Sequence, residues 1–262
     1  MSISLASIHI YPIKSLGGFA VEEARTTDRG FEHDRRWMLV DPEGRFITQR
    51  EQPAMALLRC TERPAGFRVT DARTGGFIDL PWEYHGTRDI ESTVFNDRVR
   101  VVEGEQRWSA WFSAMVGSEC RIVYMPDDSH RQLDRQYAEG INSLSDGFPY
   151  LIISQASLDD LNARLESAVP MNRFRPNLVI AGGEAFQEDA WKQVSIGGVK
   201  FDLVKTCGRC VITTTDQQTG ERSKEPLRTL ASYRTVGSRA LFGMNAVCAS
   251  GRIVRVGTEV LT

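Results

Sequence analysis

Along most of the chain, apolar residues alternate with polar ones or gather into short runs between turn formers, a period of two that predicts strands. Two stretches predict hairpins: "RWMLVDPEGRFITQR" turns at Asp41-Pro42-Glu43-Gly44, and "FRVTDARTGGFIDL" turns at Thr74-Gly75-Gly76. The same texture continues in "RVRVVE", "CRIVYM", "YLIIS", "NLVIAG", "VSIGGVKFDLV", "CVITTT", "NAVCA" and "RIVRVGTEVL". So many short strands imply barrels or sandwiches.

Helical spacing is confined to a few places. Trp108, Trp111, Phe112 and Met115 recur at i, i+3, i+4 and i+7, which predicts a helix laying an aromatic stripe on a sheet. Ser157-x-x-Asp160 reads as a capping box ahead of Leu158, Leu161 and Leu165, with Pro170 beyond, and a third short helix is expected from Pro226 to about Tyr233. The polar, turn-rich stretch "MPDDSHRQLDRQYAEGINSLSDGFPY" reads as a connection between halves or a loop over a site.

Composition narrows the class. With 262 residues, 41% hydrophobic and 25% charged, the chain can bury a full core as one large domain or two small ones. A net charge of -2 provides no basic field, so neither nucleic acid nor an anionic membrane is an expected partner. The opening "MSISLASIHIYPIKS" lacks a signal-peptide pattern, and no apolar stretch approaches the roughly 18 residues a membrane span needs. A cytoplasmic location is the expectation.

Five cysteines, an odd number, argue for reduced thiols. Cys60, Cys120 and Cys248 sit in or beside apolar runs and read as small core residues. Cys207 and Cys210 form a Cys-x-x-C followed by "VITTT". A dithiol of the thioredoxin type needs its first cysteine at a helix N-terminus, whereas five β-branched residues argue strand. A zinc site needs two more ligands, yet there is no second Cys-x-x-C, and His9, His33, His85 and His130 are scattered. A third option beside these is one thiolate offered to a soft metal whose other ligands come from a cofactor, with Arg209 beside it.

Longer segments carry a resemblance. "IYPIKSLGG", "DRRWMLVDPEGRFITQR" and "PAMALL" in the first half, then "FPYLIISQASLDDLN", "NRFRPNLVI", "CGRCVITTTDQQTG", "EPLRTLASYR" and "ALFGMNAV" in the second, resemble in order and spacing the family that joins an N-terminal β-barrel domain to a MOSC (molybdenum cofactor sulfurase C-terminal) domain. Within it the chain looks similar to bacterial relatives of the mitochondrial amidoxime-reducing component. The resemblance implies a mainly β fold with a few short helices: an N-terminal β-barrel domain over residues 1–122, packed on a MOSC-type β-barrel domain over residues 123–262. It also implies a molybdenum cofactor, a pterin dithiolene with a phosphate tail, whose metal takes Cys210 and not Cys207 as its protein ligand.

By the same resemblance Gly208 and Arg209 flank the metal, with Arg209 helping to hold the Cys210 thiolate. Lys14, Ser15, Arg35, Arg175 and Asn177 would surround the pterin and phosphate, with the backbone near Gly147 and Phe148 and the side chain of Asn245 close by. Guanidinium forks and a lysine suit a phosphate's charge and acceptor oxygens. The implied activity is reduction of small N-hydroxylated compounds. No four-cysteine array for an iron–sulfur cluster is present, so electrons are expected from a separate protein of ferredoxin or flavoprotein type. The alternative is a cofactor carrier or sulfur-handling module without reductase activity. Asp216, in the turn after "VITTT", is a candidate proton relay.

Overall fold

In the computed structural model, which describes residues 2–249 and 251–262, short strands are the main regular structure of the chain, joined by a few short helices. The largest sheet runs in the order Phe19–Val21, Ser4–Ile10, Leu178–Ala181, Tyr150–Ser154, Arg239–Cys248, Val199–Gly208, Gln193–Ile196 and Val260–Leu261. Its two ends meet. Leu5 N donates to Thr258 O at 2.9 Å and Gly257 N to Leu5 O at 2.8 Å, while Val260 N reaches Ile3 O at 2.9 Å. The sheet is thereby closed into a barrel with few free strand edges. Alternate residues of these strands point inward as Leu5, Ile8, Ile152, Ile180, Ile196, Phe201, Met244 and Val260, which explains the period of two in the sequence.

Two smaller sheets form the other half. Leu58–Arg63, Gly66–Asp71 and Phe77–Pro81 make a meander, and Trp37–Val40, Arg121–Tyr124, Asp97–Glu103 and Asp89–Val94 pair in that order. Between them lies Trp37, 1% exposed, with the rings of Tyr124, Trp108 and Phe67 at 4.9, 5.8 and 6.5 Å. The helix α1 (Gln106–Val116) supplies Trp108 and Phe112 to this core, as its spacing requires. Cys60 and Cys120 are core residues here, and Cys248 packs against the barrel core.

The halves are interlaced. Ser4–Ile10 belongs to the barrel of the second half, and Glu23–Thr27 pairs with Ile253–Arg255. Position 122, the expected boundary, falls inside Arg121–Tyr124, which pairs with strands of the first half on both sides.

Three local expectations are corrected. "VITTT" is no strand: Val211–Thr214 is a 3₁₀ turn. The Thr213 and Thr214 hydroxyls donate back to the carbonyls of Cys210 and Val211 at 3.0 and 2.8 Å, a local bond that competes with strand pairing. The cap of α2 (Gln155–Asn162) is Ser154, whose hydroxyl accepts from Ser157 N at 3.1 Å, so Ser157 lies within the helix. After the Asp41–Gly44 turn only a bridge from Val40 to Phe46 forms, although Ile47 N still reaches Leu39 O at 2.8 Å. The helix α3 spans Leu227–Tyr233, as expected.

The turn-rich stretch is held from beneath. A short hairpin pairs Arg131–Gln132 with Ile141–Asn142, and the buried Arg131 guanidinium donates to Ser143 O, Ser145 O and Asp146 O at 3.1, 2.5 and 2.6 Å, and to Asp97 Oδ2 at 2.7 Å. Removing it strands three carbonyls. Arg131→Met should lower stability by about 3 kcal/mol in urea unfolding, and the loop carrying Asp146 should lose amide-exchange protection ahead of the rest of the chain.

Candidate functional site

Five segments, remote in sequence, end at one cavity of about 130 Å³ between the halves. Lys14 and Ser15 follow the first barrel strand; Arg35 lies before Trp37; Ser145 to Phe148 come from the loop anchored by Arg131; Phe174, Arg175 and Asn177 precede Leu178–Ala181; and Cys207 to Cys210 end Val199–Gly208. Asn245 faces it from the neighbouring strand. All eleven residues expected at the site line this one space. Ser15, Arg35 and Arg175 have φ of 68°, 49° and 56°, a region costly to side chains with a Cβ and typical of functional loops held by their surroundings.

Tyr11 organises the floor. The Arg35 and Arg175 guanidinium carbons lie 4.2 and 4.4 Å from the centroid of its ring. Burial pushes the Tyr11 phenol up to about 12, so the ring is a neutral face and not a counter-ion, and its hydroxyl donates to Pro176 O at 3.1 Å. Arg35 pairs with Asp34 at 2.5 Å and donates to Asn177 Oδ1 at 3.0 Å. The Asn177 amide also accepts from Leu151 N and donates to His9 O, so its hydrogen bonds are spent on fixing Arg35. Arg175 has no ion pair among the described residues, only a bond to Leu16 O at 2.6 Å. Burial, and then the charge of Arg35, lowers it to about 10.

A second charged group also lines the cavity. Lys14 donates to Asp146 Oδ1 at 2.5 Å and to Leu144 O at 2.9 Å, and Asp146 receives Arg50 at 2.6 Å on its other oxygen. Burial lowers Lys14 to about 8 despite Asp146. Asp146 is half-exposed, and against the partial desolvation that would raise it, Lys14 and Arg50 hold it well below the usual carboxylate range.

Arg50 is the functional residue that motif reasoning passed over. Burial works against its charge, yet Asp146 and the sulfur of Cys210 keep it firmly protonated, and its Nη1 is buried without a partner. It closes the matched segment "FITQR", where it reads as the end of a hairpin arm.

The cysteines are positioned differently from each other. Arg209 Nη1 donates to Cys207 Sγ at 3.0 Å and Nη2 to Phe174 O at 2.7 Å. Arg209 therefore serves Cys207, and the cation beside Cys210 is Arg50. Both thiols are free. Among the described residues no three His, Cys, Asp or Glu side chains could hold a metal together, so a metal at Cys210 needs ligands the protein does not supply. Asp216 accepts from Gln218 N and Thr219 N and pairs with Arg173, a turn role away from the cavity wall.

Lys14, Arg35, Arg175 and Arg209 line the cavity with Asp146 as the one carboxylate among its lining residues; behind the wall Asp34 pairs with Arg35 and Arg50 pairs with Asp146. Such a surplus of buried and half-buried cations, with Gly147 backbone facing open space, fits a ligand bearing phosphate charge.

Family models account for both halves of this arrangement. The MOSC N-terminal beta barrel domain matches residues 2–119, and the MOSC domain matches residues 139–261. The chain belongs to the MOSC family. It is 34% identical to mitochondrial amidoxime-reducing component 1 of Homo sapiens, across 98% of this chain and 82% of that protein. Against the Mus musculus protein of the same name the identity is 32%, across 98% and 81%. Molybdenum cofactor sulfurase of Arabidopsis thaliana is 33% identical over 91% of this chain, which spans only 32% of that longer protein. These MOSC relatives tie the chain to molybdenum-cofactor chemistry. No helix among the described residues is long and apolar enough to cross a membrane.

Lys14 sets a pH window for the MOSC cavity. Its folded value lies below that of an unfolded lysine, so as pH rises from about 8 the folded state gains stability from this group while the cavity loses a positive charge. Binding of inorganic pyrophosphate, measured by calorimetry, should weaken between pH 7 and 9, and Lys14→Met should flatten that dependence.

Proposed function

We propose that the chain holds a molybdenum cofactor in this cavity, with Cys210 as the one protein ligand to the metal, and reduces N-hydroxylated compounds. The observation that carries the reading is Cys210, the cavity thiol that Arg209 does not engage, on the wall of a cavity with surplus positive charge. Arg175, Arg35 and Lys14 would take the cofactor's phosphate and pterin oxygens, with Ser15 and the Gly147–Phe148 backbone adding short-range donors and Gly208 and Asn245 closing the sides. The bound cofactor would supply the two-electron chemistry that removes oxygen from nitrogen.

The chain's own residues set the conditions for that chemistry. Arg50 neutralises charge at the Cys210 sulfur, and Asp146 keeps Arg50 aimed there while tying it to Lys14. Arg209 holds Cys207 away from the role of a second ligand. Electrons would come from a separate protein of ferredoxin or flavoprotein type, through a transient contact. A second reading, a cofactor carrier or sulfur-handling module, draws on a similar identity to molybdenum cofactor sulfurases, of which this chain spans about a third, and turnover separates the two.

Protein from a host that makes molybdenum cofactor should carry molybdenum and pterin fluorescence, and should turn over an amidoxime with reduced viologen as donor. Cys210→Ser should abolish turnover and alter the metal's spectrum, whereas Cys207→Ser should retain most of both. Equal loss in the two variants would argue for a dithiol, and a loaded protein without turnover would favour the carrier. Arg175→Ala should release cofactor on desalting yet leave the thermal midpoint of the apo protein near that of wild type, since the charge it removes is one that burial disfavours. A matched fall in apo stability would make Arg175 a structural residue.

A further inference from the structure

The charge of the chain is unevenly placed. Residues 205–239 hold seven lysines and arginines against three carboxylates, although the whole chain has a net charge of -2. This basic stretch is the one that carries Cys207 and Cys210. Pairing sharpens the contrast, because elsewhere on the surface Arg45, Arg68, Arg98, Arg100, Arg107 and Arg164 each meet an aspartate or glutamate. Within the stretch only Arg228 and Arg234 do so, while Lys205, Arg209, Arg222, Lys224 and Arg239 have no carboxylate partner among the described residues. Asp216 and Glu225 are engaged by Arg173 and Arg228, which leaves Glu221 as its one unpaired acid.

The fold sets these free charges against the cysteine segment. Arg209 N donates to Ala240 O at 2.7 Å and Gly208 pairs with Leu241, so the hairpin of Thr235–Val236 and Arg239–Cys248 lies directly on the cavity-lining residues. Gly208 leaves room for the Arg239 stem, since a Cβ there would come within 2.8 Å of Arg239 Cδ. Further along, Ser223 N donates to Thr214 O at 3.1 Å, and Arg222 reaches Gln49 O and Arg50 O at 2.5 and 3.1 Å, which holds Lys224 beside the turn that follows Cys210. Arg222, Lys224 and Arg239 are exposed. So is Val236, 68% accessible at the end of the hairpin and paired with Arg239. Free arginine beside an uncovered apolar side chain is the composition of a transient protein interface.

We propose that this basic face, carried by Arg239 and Lys224, is where a small redox protein with an acidic face docks to deliver electrons to the cavity. The inference rests on the reductase reading and deepens it by naming the partner's charge and the surface it meets. Two encounters, each passing one electron from a reduced one-electron carrier, supply the two electrons that with two protons release the substrate's nitrogen-bound oxygen as water. Charges of this kind act at a distance, so they raise the rate of encounter more than the strength of the complex, and salt weakens them. A basic partner is repelled by the same face.

The test uses the cofactor-loaded protein with a reduced acidic ferredoxin as donor, reduced viologen as a donor that needs no docking, and a basic cytochrome as the charge control. Calorimetry at low salt reads ferredoxin binding independently of turnover. Lys224→Glu combined with Arg239→Glu should weaken that binding and lower ferredoxin-driven kcat/KM by about tenfold, with the pair of Gln substitutions intermediate, and added salt should shrink the difference. Viologen-driven turnover, molybdenum content and the thermal midpoint should stay as in wild type, and the cytochrome should not bind. Lys200→Glu, an exposed site at the far end of Val199–Gly208 and roughly 25 Å from Gly208 by strand rise, should change none of these. The proposal is overturned if wild type binds no ferredoxin, if the cytochrome binds as well, if Lys200→Glu matches the double variant, or if ferredoxin binding ignores Lys224 and Arg239. It is overturned too if the face takes anionic lipid vesicles in place of ferredoxin, or if both the Glu and the Gln pairs lose cofactor or thermal stability, which would make the two residues structural. Ferredoxin binding that depends on them, without turnover from either donor, would uphold the surface and sink the reductase reading. Viologen-driven turnover with ferredoxin binding indifferent to them would do the reverse.

Discussion

Two guanidinium groups buried against the same tyrosine ring repel each other, and only one of them has a carboxylate. Arg35 has Asp34; Arg175 has Tyr11's π face and a backbone carbonyl. Enclosing a charge without a counter-ion is costly, and Arg175 bears that cost, while left-handed backbone adds strain at both residues. The rest of the site can be understood as support for that arrangement. Asn177 spends its amide on Arg35, the Arg131 clamp holds the loop that carries Asp146, and Asp146 balances Lys14 against Arg50. An anionic ligand relieves the repulsion, which makes the floor a binding device before any chemistry is considered.

How much of this could be read from the sequence follows from how local each feature is. The meander around Thr74-Gly75-Gly76, the aromatic stripe of α1 and the Gln193–Gly208 hairpin depend on short-range pattern, and they appear in the structure as the pattern requires. "VITTT" misleads because β propensity measures fit to a pleated surface, whereas these threonines find nearer partners in their own backbone. The capping residue was displaced by one turn for a similar reason, since Ser154 and Ser157 lie three apart and share a hydrogen bond.

The candidate residues met in one cavity because the family resemblance carried their positions, not because composition or spacing disclosed them. Arg50 shows where such reasoning ends. Nothing within several residues marks it, and its importance arises from a carboxylate 96 positions away and a sulfur farther still. Likewise, Arg209 adjoins Cys210 in sequence but turns its fork to Cys207, because a strand-end backbone sends successive side chains to different sides.

The first strand, Ser4–Ile10, closes the barrel of the other half of the chain, and the segment that follows it delivers Lys14 and Ser15 to the cavity. Neither half, taken alone, has a complete barrel or a complete set of cations. A ligand that needs all of them can be captured only after the two ends of the polypeptide have come together, so occupancy of the cavity certifies that the whole chain has folded. A nascent or damaged copy with that strand unseated would present an incomplete cradle and would leave an anionic ligand unclaimed.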